Sequence, residues 1–198
     1  MAAARVLAHL LCALPLAWLG WQMLAVLQGG SHALGADPVA ATIHHLGIWA
    51  LRLLLLTLAI TPLRQMTGAH ALTGYRRMLG LWTFAYASLH LGAYVLLDLR
   101  GFWMQVFEDI ANRPYITVGF LAWLLLVPLA LTSTRGWMRR LGRHWGRLHR
   151  LVYPVAALAV LHFWWRVKAD TAEPALYAVL LALLLGWRLW WRVTRRRA

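Results

Sequence analysis

The sequence predicts an all-α integral membrane protein, a six-transmembrane-helix bundle with both termini in the cytoplasm. Three observations predict it. Of 198 residues, 62% are hydrophobic and only 13% charged, too few charges to cover a soluble domain of this size. The apolar residues gather into six runs, approximately 6–27, 46–63, 78–97, 115–131, 148–167 and 175–191, each approaching the roughly 20 residues that a hydrocarbon core requires. The charges between the runs alternate in sign from one side to the other.

The first run follows Arg5 and exceeds the roughly 7–15 apolar residues of a secretory signal, so it is expected to be a retained helix. Gly29-Gly30, Gly35 and Asp37-Pro38 separate it from the second run, which Arg52 interrupts. Gly68 and Gly74 precede the third run, Arg113-Pro114 the fourth, Gly136 lies before the fifth, and Glu173-Pro174 opens the sixth, which contains Arg188. Glycine and proline at these places are turn signals. No internal repeat or separate soluble region is read, so residues 1–198 form one membrane domain.

Twenty bases against six acids give a net charge of +14. In a soluble protein this excess would suggest nucleic acid; here the bases sit in short loops, and positive-inside topology accounts for them. Arg64, Arg76 and Arg77 lie between the second and third runs, Arg135, Arg139, Arg140, Arg143 and Arg147 between the fourth and fifth, and Arg192, Arg195, Arg196 and Arg197 in the tail. Asp37, Asp98, Glu108, Asp109, Asp170 and Glu173, all the acids of the chain, fall on the other side. The basic side is therefore expected to be cytoplasmic, and the acidic side, which topology alone could also produce, is a candidate docking face for an external partner. Cys12 is the only cysteine, which excludes an intrachain disulfide, a cysteine-built metal site and a C-x-x-C-H haem attachment.

Ionisable groups inside spans are costly and mark function. His90 lies in the third run and His162 in the fifth, two runs that point the same way. Counted from the run starts, the two differ in depth by about 3 Å at the helical rise per residue. Paired imidazoles at one depth on separate helices suit bis-histidine haem ligation. His149 lies near the cytoplasmic start of the fifth run, about 20 Å deeper on a straight helix, where a second haem would sit. At the matching depth the third run offers Arg76 and Arg77 rather than a histidine, so either the inner haem is absent or its second ligand is unusual, and Arg77 is a candidate cofactor residue. Arg52 is expected to pair with a haem propionate or quinone oxygen, and Trp82 and Tyr86 to wall the cofactor. Other tryptophans, such as Trp18, Trp21, Trp103, Trp137, Trp164, Trp165, Trp190 and Trp191, read as interfacial belts.

Seven stretches occur in order along the chain: Leu34-Gly35-Ala36-Asp37-Pro38, Ile60-Thr61-Pro62-Leu63, Arg76-Arg77-Met78-Leu79-Gly80-Leu81-Trp82, Leu89-His90, Arg113-Pro114-Tyr115, Leu131-Thr132-Ser133-Thr134 and Leu141-Gly142-Arg143-His144-Trp145. With them the chain resembles the MsrQ family (also called YedZ), haem-binding membrane subunits of bacterial methionine sulfoxide reductase systems. Its wider relatives are ferric-reductase-like transmembrane proteins. The resemblance implies haem b, one or two, on His90, His149 and His162, with FMN as an associated cofactor. It further implies a multi-pass protein of the bacterial inner membrane that is a non-catalytic electron-transfer subunit. Its donor would be the quinone pool or a cytoplasmic flavin reductase. Its acceptor would be a periplasmic, molybdopterin-containing MsrP-like subunit that repairs oxidised methionines. NADPH oxidases, more distant relatives, carry two histidines on each of the two spans and a cytoplasmic flavin and nicotinamide domain; the single histidine here in span three departs from that pattern. The alternatives are a cytochrome b561-like quinol oxidoreductase subunit with another acceptor, or a small proton-coupled transporter.

Overall fold

The computed structural model describes residues 2–197, and the side chains of residues 3–194. The side chains of Arg195, Arg196 and Arg197, part of the basic tail, lie outside those described. Among the described residues the chain is helical throughout, with no strand. Its helices are α1 (Ala2–Leu27), α2 (Pro38–Thr67), α3 (Thr73–Ala93), α4 (Met104–Asn112), α5 (Pro114–Leu131), α6 (Arg135–Leu141), α7 (Arg143–Leu148), α8 (Val152–Arg166) and α9 (Ala172–Arg197).

Local chemistry sets the ends. Asp37 caps α2 by accepting the Ala40 amide at 2.9 Å, and Pro38 follows at the first helical position, where its missing N–H costs nothing. Gly68 ends the same helix at φ 70°, a left-handed conformation that glycine adopts without strain. Arg113 is extended before Pro114, as the residue ahead of a proline must be, and α5 starts there. Beyond α3 the chain continues through a π-helical turn, Tyr94–Asp98.

Five segments are long and apolar enough to cross a membrane: Ala3–Leu27, Pro38–Thr67, His70–Asp98, Pro114–Leu131 and Ala172–Thr194. The fifth apolar run is shorter than its sequence suggests. Continuous helix begins only at Val152 and lasts 15 residues; His149 lies before it in a 3-10 turn, His149–Leu151. The straight helix expected to join His149 to His162 is thus broken, because the Gly- and Arg-rich stretch 135–148 folds into the short helices α6 and α7. Helix α4 was not expected at all.

Helix α2 is the axle. One side joins a buried cluster with α5, α8 and α9 that includes Leu54, Leu58, Leu126, Val155 and Leu181. The other joins α1 and α3 through Leu46, Leu53, Cys12, Leu19 and Tyr86. Leu7, Leu10, Leu14 and Trp21 of α1, and Leu176, Val179 and Leu183 of α9, stay exposed. That is the outward face a bilayer solvates. Helix α2 packs chiefly on α3, and α5 chiefly on α8, giving two hairpins side by side.

Candidate functional site

The two hairpins enclose a cavity of about 290 Å3 lined by residues of α2, α3, α5 and α8, with His90 and His162 both on its wall. Its flanks are apolar, among them Ile48, Leu51, Leu54, Ala87, Ala122, Leu126, Val155 and Ala159. At one end the lining turns polar with His44, Asp98, Arg113, Tyr115 and Arg166. Asp109, only 5% exposed, stands behind that mouth. It accepts the Tyr94 hydroxyl and pairs with the Arg113 Nε at 3.2 Å. His44 approaches Glu173 at 3.9 Å.

Each histidine is fixed in the same way. The Nδ1–H of His90 donates to the Ile43 carbonyl at 2.8 Å, and the Nδ1–H of His162 donates to the Tyr115 carbonyl at 2.7 Å. A carbonyl acceptor at Nδ1 selects the tautomer whose Nε2 lone pair is free for a metal. One turn after each carbonyl stands a glycine that the ring lies against. A Cβ at Gly47 would come within 2.9 Å of the His90 ring, and one at Gly119 within 2.6 Å of the His162 ring. In both hairpins the carbonyl precedes its histidine by 47 residues. The chain therefore repeats a two-helix unit, contrary to the sequence reading. The likeness lies in the register of the carbonyl, the glycine and the histidine rather than in overall sequence similarity. Those two glycines are the functional residues that sequence reasoning missed; their equal spacing from the histidines was the available signal.

The ring centroids of His90 and His162 are 6.1 Å apart, with planes at 81°. Two imidazoles facing one ion, each with a metal–nitrogen bond of roughly 2.0–2.1 Å, have centroids about 6 Å apart. The separation matches two imidazoles sharing one metal ion, and with both Nδ1 atoms bound to carbonyls the Nε2 atoms are the ones that would hold it. Two nitrogens would leave a six-coordinate iron four ligands short, and a porphyrin would supply those four. Among the described residues, no group of three or more His, Cys, Asp or Glu is placed to hold a bare metal.

The other predicted residues are placed elsewhere. Arg52 turns to α9, its Nε donating to the Tyr177 hydroxyl at 2.8 Å and its guanidinium lying 5.1 Å from the Trp49 ring. It does not line the cavity. A half-buried guanidinium needs partners, and α9 supplies them before any cofactor oxygen. Trp82 and Tyr86 do not wall the cavity either. Trp82 donates to His9 at 3.0 Å, and Tyr86, fully buried, donates to the Cys12 carbonyl at 2.8 Å. Both serve the α1–α3 contact; Thr83, Ala87 and Leu91 form the α3 wall instead.

His149 is outside the cavity. It stacks on Trp145 at 4.0 Å between centroids, and its Nε2 hydrogen-bonds with the Thr132 hydroxyl at 3.0 Å. Arg77 is exposed in a groove with Leu81, Ser133 and Thr134. It precedes His90 by the same thirteen residues by which His149 precedes His162, so the two occupy equivalent positions of the repeat.

Comparison with known proteins agrees with this architecture. Residues 46–160 match the family described as ferric reductase like transmembrane component, a segment that takes in both glycines, His90 and His149. The chain is 68% identical over 195 residues to the protein-methionine-sulfoxide reductase heme-binding subunit MsrQ of Xanthomonas campestris pv. campestris (strain B100), covering 98% of this chain and 89% of that protein. It is 66% identical to the protein of the same name from Xanthomonas euvesicatoria pv. vesicatoria (strain 85-10), with the same coverage. To that of Caulobacter vibrioides it is 48% identical, over 93% of this chain and 85% of the other. The chain belongs to the ferric-reductase-like transmembrane family and, within it, to the MsrQ haem-binding subunits of methionine-sulfoxide reductase systems.

Proposed function

We propose that this chain is a b-type haem electron-transfer subunit, with His90 and His162 as axial ligands. The observation that carries the reading is the facing imidazole pair, each with Nδ1 bound to a backbone carbonyl and its ring seated on a glycine. A haem b held there supplies reversible one-electron carriage within the bilayer. The residues do the rest. The Ile43 and Tyr115 carbonyls orient the rings, the apolar flanks of α2, α5 and α8 exclude water, and Arg113 and Arg166 give the mouth positive charge for carboxylate groups.

His149 and Arg77, at equivalent positions of the two hairpins, would hold a second, inner cofactor, with His149 the candidate ligand. Six spans, with α8 and its preceding turn as the fifth, leave both termini in the cytoplasm of a bacterial inner membrane. The donor is the quinone pool or reduced flavin, FMN included. The acceptor is a periplasmic molybdopterin methionine sulfoxide reductase docking at the acidic face, where Asp98 lines the cavity mouth and Glu173 approaches His44 beside it. What supports that partnership is that the relatives are heme-binding subunits of protein-methionine-sulfoxide reductase systems.

The test is reconstitution. Protein in vesicles, reduced by quinol or by a flavin reductase, is mixed with the catalytic subunit and a methionine sulfoxide substrate. Haem reoxidation coupled to substrate reduction is expected, and the haem staying reduced in the presence of both would reject the acceptor. A donor that leaves the haem ferric is excluded.

A further inference from the structure

At the end of the bundle opposite the acidic mouth, arginines of α3 and α9 reach adjacent turns of α2 next to Arg64, with no acidic side chain beside them among the described residues. Arg76 of α3 donates from Nη2 to the Thr61 hydroxyl of α2 at 2.6 Å. Arg188 of α9 donates from Nη1 to the Tyr153 hydroxyl at 3.1 Å and from Nη2 to the Leu58 carbonyl. Leu58 and Thr61 are one turn apart on the same helix, and Arg64 is the next residue on that face. Trp187 closes the α2–α9 contact by donating to the Gln65 side chain at 3.0 Å.

The hydrogen-bond partners of Arg76 and Arg188 among the described residues, Thr61, Tyr153 and the Leu58 carbonyl, are neutral. The six acids of the chain are Asp37, Asp98, Glu108, Asp109, Asp170 and Glu173, and none lies in these segments. The two side-chain ion pairs among the described residues are at the opposite end. The Nε of Arg188 is buried and has no hydrogen-bond partner. A half-buried guanidinium such as that of Arg188, with an orphan donor and like charges nearby, is costly unless a counter-charge joins it. Positive-inside sorting explains arginines in loops; it does not explain Arg188, which sits inside an apolar helix and is directed into the helix interface. Arg76 is exposed, so the cluster is open to a ligand from the membrane surface. Guanidinium forks favour phosphate oxygens, and basic pockets between transmembrane helices at the cytoplasmic side take anionic headgroups.

We propose that Arg64, Arg76 and Arg188 form a phosphate-binding site between α2, α3 and α9, distinct from the histidine cavity. It takes the phosphate of an anionic phospholipid or of a soluble phosphate ester. The site stands whether or not His90 and His162 bind haem.

The experiment uses the full chain, purified with its native cofactor content. In the lipid arm, native mass spectrometry follows release from nanodiscs of equal phosphatidylglycerol and phosphatidylcholine. In the solution arm, thermal shift is measured with inorganic phosphate in an uncharged detergent. Phosphatidylglycerol adducts at least about fivefold over phosphatidylcholine, reduced towards parity by Arg188→Gln and Arg76→Gln, assign a lipid. A shift with phosphate alone, lost in the same variants, assigns a soluble ester. Arg76→Gln, at an exposed position, keeps the test decisive should Arg188→Gln fail to accumulate. The proposal is overturned by no preference in either arm. It is equally overturned if Arg139→Gln with Arg140→Gln, in the loop helix α6, lowers binding as much as the site variants do.

Discussion

His162→Ala and His90→Ala each reduce bound haem to below about a tenth of the wild-type content, since loss of even a supporting group around a metal costs roughly 10–100-fold in affinity. The effect is larger than for any other single substitution because nothing replaces either imidazole. The flanks of the cavity are apolar, and the nearest other histidine on its wall, His44, sits at the mouth beside Glu173. His149→Ala behaves differently, since His149 is outside the cavity and engaged with Thr132 and Trp145. It removes at most the portion of haem held at the inner position. The check is the pyridine haemochrome content per protein of the three variants, purified in parallel. Full haem retention in both His90→Ala and His162→Ala would remove the ligand assignment.

Gly119→Ala is the second large effect. A methyl group there would lie 2.6 Å from His162 Nδ1, closer than carbon and nitrogen approach without bonding, and Gly47→Ala would put one 2.9 Å from the His90 ring. Neither glycine is needed for backbone conformation: both are inside helices, where alanine is favoured by about 1 kcal/mol. Exchange should thus stabilise the helix while displacing the ring. The imidazole cannot withdraw freely, since its Nδ1–H is committed to the Tyr115 carbonyl one turn before the glycine. Moving it breaks that bond or swings Nε2 off the axis. We expect Gly119→Ala to lower haem affinity about 10-fold, within the range for orienting groups around a metal, and Gly47→Ala to act in the same direction but less. Haem titration of apoprotein, followed by absorbance, reads both. Wild-type affinity in Gly119→Ala would show that the ring is not held against that helix in the loaded protein.

These two glycines also show where sequence reasoning reached and where it stopped. Run length and composition located the long helices, because a segment crossing hydrocarbon must be continuously apolar and internally hydrogen-bonded. The depth match of His90 and His162 was legible for the same reason, since helical rise is fixed. Which face a side chain takes was not. Tyr86 and Trp82 stand four and eight residues before His90, a spacing that suggests a shared face. A buried tyrosine hydroxyl needs a partner, and the Cys12 carbonyl of α1 provides it. Arg52 was likewise settled by Tyr177, 125 residues away in the chain. Helix α4 lies in a loop with no apolar run to announce it, and the 3-10 turn at His149 depends on how stretch 135–148 folds back. The two-hairpin repeat escaped notice because it survives in three positions per unit rather than in overall similarity.

The central claim is that His90 and His162 face one iron, and the most direct measurement is electron paramagnetic resonance of the ferric protein in the His149→Ala background, which leaves the cavity pair alone. Rings at 81° to one another, each held by its own backbone carbonyl, predict a six-coordinate low-spin signal of the strongly anisotropic type given by near-perpendicular axial imidazoles. A high-spin signal, or the rhombic low-spin signal of parallel imidazole planes, would contradict it.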